Sequence, residues 1–335
     1  MSGRCLLRAA PLLLAIAVAM AGQFATATEG QRYKDEIFPA VRVTRDIAYG
    51  QALDEHGQVE ILKLDLYEPE GDTEALRPAY VWIHGGGFTG GDKADALNAE
   101  IATRFAQRGY VAASINYRLR EGEYFVPEDP RLPEVIREAQ NDSQAAVRWL
   151  RANAAAYRID GLRIAVGGSS AGAIAALFVN YNASESGDSG NPGYPSNTSA
   201  GVSISGNMAT SFMGAGEPPV LVVHGTEDTR VPYQGALNIV ARGAEVGVIV
   251  EFHSLEGIGH LVWWTIYKED IIFWMSDFLF RYVASPSVGG VVEVPAHSRA
   301  EDTEVALLPI VGAIIAGSAV VLSVGWAGAK LRRRG

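Results

Sequence analysis

The sequence is almost without cysteine: Cys5 is the only one among 335 residues. A single thiol excludes a disulfide framework within the chain and any metal site built from four cysteines. Histidine is scarce as well, with six residues, and no group of His, Asp and Glu has the spacing of a zinc site. We therefore expect no metal ion in this protein.

Basic residues are outnumbered too. The chain has 28 Lys and Arg against 38 Asp and Glu, which gives a net charge of −10. Binding to nucleic acid needs Lys and Arg to replace the counterions of the phosphates, so this balance argues against a nucleic-acid partner. A hydrophobic fraction of 48% is, by contrast, enough for a globular chain with a sizeable core.

The N-terminal end has the parts of a secretory signal peptide. Arg4 and Arg8 flank the start of an apolar run at residues 12–18, and Ala25-Thr26-Ala27 follows it. A basic start, a short apolar centre and a small-x-small exit predict a signal peptide over residues 1–27. An uncleaved anchor helix is the alternative.

The C-terminal end is predicted to anchor the protein in a membrane. Residues 305–329 contain no charge and are followed by a basic tail at 330–335. A helix of these 25 residues, at a rise of about 1.5 Å per residue, is longer than the thickness of a hydrocarbon layer, which is about 30 Å. Basic residues stay in the cytoplasm, so the bulk of the protein is expected outside. Residues 308–312 resemble a cell-wall sorting signal, although that signal has threonine where this chain has Val311. Cell-wall sorting and secretion are therefore the alternatives to a membrane anchor.

The region between these ends is strongly acidic. Six of the 28 basic residues lie in the two ends, which contain no acid, so the remainder has a net charge of −16. Residues 285–304 mix proline, glycine and acids and are predicted to form a stalk. This leaves a single predicted domain at residues 28–284.

Hydrophobic patterning in this domain predicts an α/β fold. Apolar residues alternate at 41–49 and 59–67, which indicates an antiparallel strand pair. Short apolar runs then alternate with helical segments, the runs being residues 80–83, 110–115, 162–166, 202–204, 220–223 and 248–252. Such alternation favours a mostly parallel central sheet with helices on both faces. Ligands of such sheets bind beyond the carboxyl ends of the strands.

The loop after residues 162–166 carries a candidate nucleophile. Residues 168–172 are Gly-Ser-Ser-Ala-Gly, which fits G-x-S-x-G, and an apolar helical segment follows. A serine raised on a tight strand-to-helix turn needs glycine two residues before and two after, because side chains there would collide with neighbouring elements. The pattern alone is weak, but its place between strand and helix favours Ser170 as a nucleophile.

The loop after residues 80–83 is rich in glycine. Residues 84–88 are His-Gly-Gly-Gly-Phe, and bare backbone N–H groups there could stabilise an oxyanion together with the N–H of Ala171. Residues 85–90 also match G-x-G-x-x-G, the pattern of a dinucleotide site. That site needs an acid at the end of the next strand. Asn116-Tyr117-Arg118 stand there instead, so no cofactor is expected.

Two further loops supply a carboxylate and a base. Glu227 and Asp228 follow the strand at 220–223, and His260 follows the strand at 248–252. A serine hydroxyl needs a base to take its proton, and that base needs a carboxylate to fix its tautomer. His84 and His224 are expected to shape their loops rather than to titrate in catalysis.

These four motifs, spanning residues 82–260, resemble an α/β-hydrolase of the carboxylesterase and lipase group that carries an HGGG oxyanion loop. The resemblance implies a Ser-His-Asp triad, whose members occur in the order Ser170, Asp228, His260. Glu227 remains the alternative acid. The resemblance also implies backbone oxyanion donors at Gly86, Gly87 and Ala171.

Two expectations concern the substrate. Phe88, beside the glycine loop, is a candidate for the acyl pocket. The segment at 205–219 is too short for the helical cap that relatives often insert there, so we expect an open site suited to small esters. Asn141, Asn182 and Asn197 lie in glycan acceptor sequons, which matter only if the host glycosylates exported asparagines.

A membrane-tethered serine ester hydrolase is therefore the leading hypothesis. A peptidase related to prolyl oligopeptidases shares the acid-loop motif, but that family carries a large propeller domain for which the residues before Val41 are too few. A non-catalytic adhesion or receptor ectodomain is the third hypothesis, and such proteins usually lack a triad member. The sequence predicts no oligomeric state.

Overall fold

The computed structural model describes residues 30–122, 129–184, 187–260 and 263–285. They belong to one of the two compact units into which the chain divides, Met1–Pro286. The predicted signal peptide, transmembrane helix and basic tail lie outside the described residues, as does the predicted stalk except for Ser285. No helix within the described ranges is long and apolar enough to cross a membrane.

An eight-stranded sheet forms the centre of the fold. Its strand order is β1-β2-β4-β3-β5-β6-β7-β8, with the bounds β1 Val41–Leu53, β2 Val59–Pro69, β3 Arg77–Ile83, β4 Val111–Ile115, β5 Ile159–Ser169, β6 Ala200–Ile204, β7 Val220–Gly225 and β8 Val250–Leu255. The β1–β2 and β2–β4 pairs are antiparallel and the other pairs are parallel. The predicted fold class is confirmed.

Helices cover both faces of this sheet. Their bounds are α1 Ala96–Gln107, α2 Leu132–Ala152, α3 Ala154–Tyr157, α4 Ala171–Tyr181, α5 Gln234–Val246, α6 Trp263–Ile266 and α7 Lys268–Leu279. A 3₁₀ turn at Thr210–Phe212 and a π-helical turn at Phe280–Ala284 complete the described elements.

Strand β3 shows how the core is divided. Val81 and Ile83 pack in a cluster with residues of α2 and α4, whereas Tyr80 and Trp82 pack in a second cluster with residues of α1 and α7. Successive side chains of a strand point to opposite faces, so a strand covered on both sides is apolar throughout. Fully burying each large apolar side chain contributes roughly 1.5–3 kcal/mol. The indole of Trp82 donates to Asn98 Oδ1 at 2.8 Å, which satisfies its buried N–H.

Most strands extend a few residues beyond their predicted bounds, and two boundaries have a reason that is visible in the local structure. Apolar residues from Val147 to Tyr157 recur at helical spacing in the sequence, but the helix is broken at Asn153, whose side-chain Nδ2 donates to the Trp149 carbonyl at 2.9 Å and closes α2. The predicted strand at 248–252 begins only at Val250, because Gly247 ends α5 in a left-handed conformation and the Val248 N–H donates to Gly243.

The topology brings the chemical loops to one edge. Strands β3, β5, β6, β7 and β8 are consecutive parallel neighbours, so the loops after them emerge side by side. The segment between β6 and β7 holds only the 3₁₀ turn, in agreement with the predicted absence of a large cap.

Candidate active site

Ser170 sits on a sharp turn between β5 and α4. Its backbone has φ 53° and ψ −121°, a conformation that costs an L-residue energy and that the surrounding structure must enforce. The Ser170 N–H donates to the Ile204 carbonyl of β6 at 2.9 Å, which holds the turn against the sheet.

Glycines 168 and 172 make this turn sterically feasible. A Cβ atom on Gly168 would overlap the backbone of Gly172, and one on Gly172 would overlap the carbonyl oxygens of Ile83 and His84. The close approach of helix, strand and glycine loop is therefore the physical reason for both glycines.

Ser170, His260 and Asp228 form a chain of hydrogen bonds. The Ser170 hydroxyl lies 2.7 Å from His260 Nε2, and His260 Nδ1 lies 2.7 Å from Asp228 Oδ2. An ionised carboxylate only accepts, so Nδ1 carries the proton and Nε2 is free to accept from the serine. The structure thus brings the three predicted residues together in the geometry of a nucleophile, a base and an orienting acid.

The surroundings of Asp228 keep it ionised. Burial alone would raise its pKa, but hydrogen bonds from His224, His260 and the Val231 N–H outweigh burial and hold the pKa of Asp228 well below its usual range. Oδ1 accepts from Val231 at 2.9 Å and from the Arg230 N–H at 3.0 Å. Glu227, the alternative acid, is exposed.

His224 contacts the same oxygen of this carboxylate as His260 does. Its Nε2 lies 2.9 Å from the Val231 carbonyl oxygen and 3.2 Å from Asp228 Oδ2, and its ring is fully buried. Both neighbours are acceptors, so Nε2 carries the proton and donates to them. The expected role of His224 in shaping the acid loop thus includes direct contact with the acid.

The glycine loop lies against the nucleophile. A Cβ on Gly85 would stand 3.3 Å from that of Ser170. Gly86 and Gly87 have φ of 116° and 65°, which glycine tolerates, and within the described residues their N–H groups meet no hydrogen-bond acceptor. Ala171 is the first residue of α4, so its N–H has no helical acceptor. Within the described residues, three N–H donors without an acceptor thus lie in the glycine loop and in the turn that follows Ser170.

His84 and Tyr117 hold the backbone of the glycine loop in place. His84 Nδ1 lies 2.6 Å from the Gly85 carbonyl oxygen, and its ring stacks on Tyr117 with centroids 4.5 Å apart. The Tyr117 hydroxyl donates to the His84 carbonyl at 3.1 Å. Burial lowers the pKa of His84, so its ring is neutral and acts as a hydrogen-bond donor through Nδ1.

Phe88 does not take the place that was expected for it. Its side chain is fully buried in the core beside Tyr117, with ring centroids 6.2 Å apart, and its φ is 64°. This placement does not support a role in the acyl pocket, and we assign Phe88 to packing. Burial of this ring beside Tyr117 removes apolar surface from water and stabilises the fold, which accounts for its position in the core.

An apolar cavity of about 710 Å³ is lined by residues of the helix that follows Ser170 and of the loop that carries Asp228. Its walls come from α2, α4, the loop after β6 and the acid loop, and the lining residues are Leu132, Pro133, Ile136, Arg137, Gln140, Ile174, Phe178, Asn182, Asn207, Met208, Ala209, Phe212, Arg230, Val231 and Pro232. No motif in the sequence marks this cavity. The spacing of Leu132, Ile136 and Gln140 along α2 was the available signal, since residues four apart share one helix face.

Tyr117 and Ser205 likewise lie outside the four sequence motifs. Ser205 follows β6 directly, and its hydroxyl donates to the His260 carbonyl at 3.4 Å, which ties the base to the sheet.

Within the described ranges, no group of three or more His, Cys, Asp or Glu side chains is placed to hold a metal ion.

Two family models match the chain. The model described as BD-FAE matches residues 64–205, and that of the Prolyl oligopeptidase family matches residues 178–285. The first match contains the glycine loop and Ser170, and the second contains Asp228 and His260.

Curated relatives include lipases and an esterase. Bile salt-activated lipase of Rattus norvegicus is 32% identical over 130 residues, which are 36% of this chain and 20% of the relative. Fumonisin B1 esterase of Sphingopyxis macrogoltabida is 29% identical over 125 residues, which are 35% of this chain and 22% of the relative. The matched part of the chain thus spans about a fifth of the length of these relatives.

Solved structures share the fold over most of their length. A thermophilic esterase of Thermogutta terrifontis with propionate bound gives a TM-score of 0.60 at 21% identity, covering 72% of this chain and 94% of that one. A truncated carbohydrate esterase from gut microbiota gives 0.59 at 20% identity, covering 72% and 96%. At these identities, the likeness establishes the fold.

Proposed function

Because the chain belongs to the α/β-hydrolase carboxylesterase and lipase family, we propose that it is a serine carboxylic ester hydrolase acting through an acyl-enzyme. The observation that carries the proposal is the pair of 2.7 Å contacts that link Ser170 to His260 and His260 to Asp228. The lipases and esterases among its relatives support the same reaction class.

Acylation begins when Ser170 Oγ attacks the ester carbonyl carbon and its proton passes to His260 Nε2. Asp228, ionised because its pKa is held low, stabilises the imidazolium that forms. The negative oxygen of the tetrahedral intermediate is held by the N–H groups of Gly86, Gly87 and Ala171, each such donor contributing about 3–4 kcal/mol. The intermediate collapses, and the alcohol leaves with the proton from His260.

Deacylation repeats these steps with water. His260 takes a proton from water, the hydroxide formed attacks the acyl carbon, and Ser170 leaves with the proton returned by Nε2. The products are one carboxylic acid and one alcohol, and the enzyme is regenerated. The segment between β6 and β7 is described throughout and holds only a 3₁₀ turn, and the lack of a large cap in it favours small or solvent-borne esters over long lipid chains.

A fluorophosphonate probe tests the proposal directly. We expect the folded protein to gain one covalent adduct, which peptide mass spectrometry places on Ser170, because a base-activated serine attacks phosphorus as it attacks a carbonyl. Protein denatured before exposure serves as the control and remains unlabelled. A folded protein without an adduct would favour the adhesion or receptor hypothesis.

A peptidase is the second candidate, favoured by the Prolyl oligopeptidase match across Asp228 and His260. The two reactions share the triad and differ in the leaving group. Rates on a 4-nitrophenyl ester and a 4-nitroanilide of one acyl group separate them, and for an esterase we expect turnover of the ester alone. Faster cleavage of the anilide would reverse the order of the two candidates.

We also propose that the enzyme is exported and held in the membrane by residues 305–329. The sequence of the two ends supports this proposal. Residues 1–27 have the parts of a signal peptide, and an uncharged C-terminal run is followed by a basic tail. The full chain should sediment with membranes, and a chain ending at Glu304 should appear outside the cell in soluble form. Equal sedimentation of both chains would argue against the anchor.

A further inference from the structure

The cavity beside the triad is large enough for a substantial substrate group. Its volume of about 710 Å³ falls within the range of small-molecule sites. Most of its wall is apolar, and the rings of Phe178 and Phe212 meet edge to face with centroids 5.0 Å apart. Such a wall favours an aryl group or a medium-length alkyl chain.

The cavity is lined by neighbours of the nucleophile and of the acid, whereas Ser170, Asp228 and His260 are not among its lining residues. Ile174, on its wall, donates its N–H to the Ser170 carbonyl at 3.0 Å and so lies one helical turn beyond the nucleophile. Val231, also on the wall, donates its N–H to Asp228. A group attached to an ester at Ser170 therefore has an apolar recess next to it.

Two arginines give this recess a positive charge. Arg137 of α2 and Arg230 of the acid loop both line the cavity and are exposed. Neither makes an ion pair within the described ranges, and no Asp or Glu is among the lining residues. Gln140 and Asn182, two of the polar lining residues, are near each other, with Asn182 Nδ2 3.5 Å from Gln140 Oε1.

Most other arginines of the described domain lie against carboxylates. Arg77 meets Glu68, Arg118 meets Asp142, Arg120 meets Glu138 and Arg281 meets Glu251. Within the part of the chain that the structure describes, Arg137 and Arg230 have no carboxylate partner, and both line this apolar cavity in a protein with a net charge of −10. Their planar guanidinium groups suit a carboxylate in particular.

We infer that the preferred substrate is an anionic ester, whose apolar body fills this cavity and whose carboxylate is bound by Arg137 and Arg230. The inference rests on the proposed ester hydrolase function and names its substrate class. Because the arginines are exposed, each contact with the carboxylate is modest and weakened by salt. Their combined effect is expected to be about tenfold in kcat/KM.

Matched ester pairs test this specificity on each side of the scissile bond. On the acyl side, mono(4-nitrophenyl) adipate differs from 4-nitrophenyl hexanoate by a terminal carboxylate. On the alcohol side, the butyrate ester of 4-hydroxybenzoate differs from that of 4-hydroxybenzamide by its charge. We expect kcat/KM to favour the anionic member of at least one pair by about tenfold at low salt, and less at about 0.5 M NaCl.

Variants assign this preference to the cavity. The double variant R137Q/R230Q should bring the anionic-to-neutral ratio to about one, and the charge-inverting variant R137E/R230E should bring it below one. Arg42, which is exposed on β1 and pairs with Glu68, provides the control, because R42Q removes the same charge away from the cavity and should keep the ratio.

The outcomes separate this inference from the proposed function. A preference that survives R137Q/R230Q, or no preference in either pair from an enzyme whose Ser170 reacts with the fluorophosphonate, overturns the anionic substrate alone. A folded protein whose Ser170 does not react overturns the hydrolase function and the substrate class with it.

Discussion

Replacing Ser170 with alanine is expected to lower kcat on an activated ester by about 10⁵- to 10⁶-fold and to abolish fluorophosphonate labelling. Without Oγ no acyl-enzyme forms, and His260 has no proton to receive. What remains is the contribution of the oxyanion donors and substrate binding, which is a small part of the total. Steady-state rates and intact mass measure the two effects.

Ser169 provides a matched control one residue away. It is the last residue of β5 and is 4% exposed, and the hydrogen bond to His260 Nε2 is made by Ser170 rather than by Ser169. Ser169→Ala removes the same hydroxyl from the same loop and should retain activity and labelling. The proposed nucleophile would be wrong if S170A kept its activity while S169A lost it.

The position of the nucleophile was predictable because the constraint on it is local. Gly168 and Gly172 are demanded by the approach of β3 and α4, so the steric requirement is visible in five consecutive residues. The parallel part of the sheet was predictable as well. Alternating apolar runs and helices make neighbouring strands parallel, and the carboxyl ends of parallel strands meet at one edge of the sheet. Ser170, Asp228 and His260 follow three of those strands.

The cavity and the second support of the acid were not predictable in this way. Ile136 and Leu132 lie on an apolar stripe of α2 that is indistinguishable in sequence from a core-facing one, and only the packing of α2 decides which part borders a recess. His224 reaches Asp228 from the end of β7, across a turn whose path no local pattern specifies. Phe88 was misplaced for the same reason, because its burial depends on Tyr117 from another loop.

Replacing Asp228 with asparagine is expected to lower kcat by about 10⁴-fold while leaving substrate binding nearly unchanged. The amide NH₂ can donate to His260 Nδ1, which favours the tautomer that has its proton on Nε2, and Nε2 then cannot accept from Ser170. Measurements of kcat and KM on one ester distinguish this from a loss of the substrate site, which would act on KM.

The same replacement should change how stability depends on pH. The pKa of Asp228 is lower in the folded protein than its ordinary value of about 3.9, so its ionised form stabilises the fold above that pH. This stabilisation is lost as the pH falls toward the folded-state pKa. The difference in Tm between wild type and D228N should therefore shrink below about pH 4.

Glu227 is the control that the chain itself offers, being the adjacent carboxylate and the other acid named from the sequence. It is exposed, and its N–H, rather than its carboxylate, is bound to the loop that carries His260, donating to the Ile258 carbonyl at 3.0 Å. Glu227→Gln removes the same charge, so any purely long-range effect of charge on His260 should appear in it as strongly as in D228N. We expect E227Q to keep activity within about twofold, since exposed charges interact weakly through solvent. A large loss in E227Q together with an active D228N would transfer the orienting role to Glu227, because the acid that matters is the one whose carboxylate fixes the imidazole.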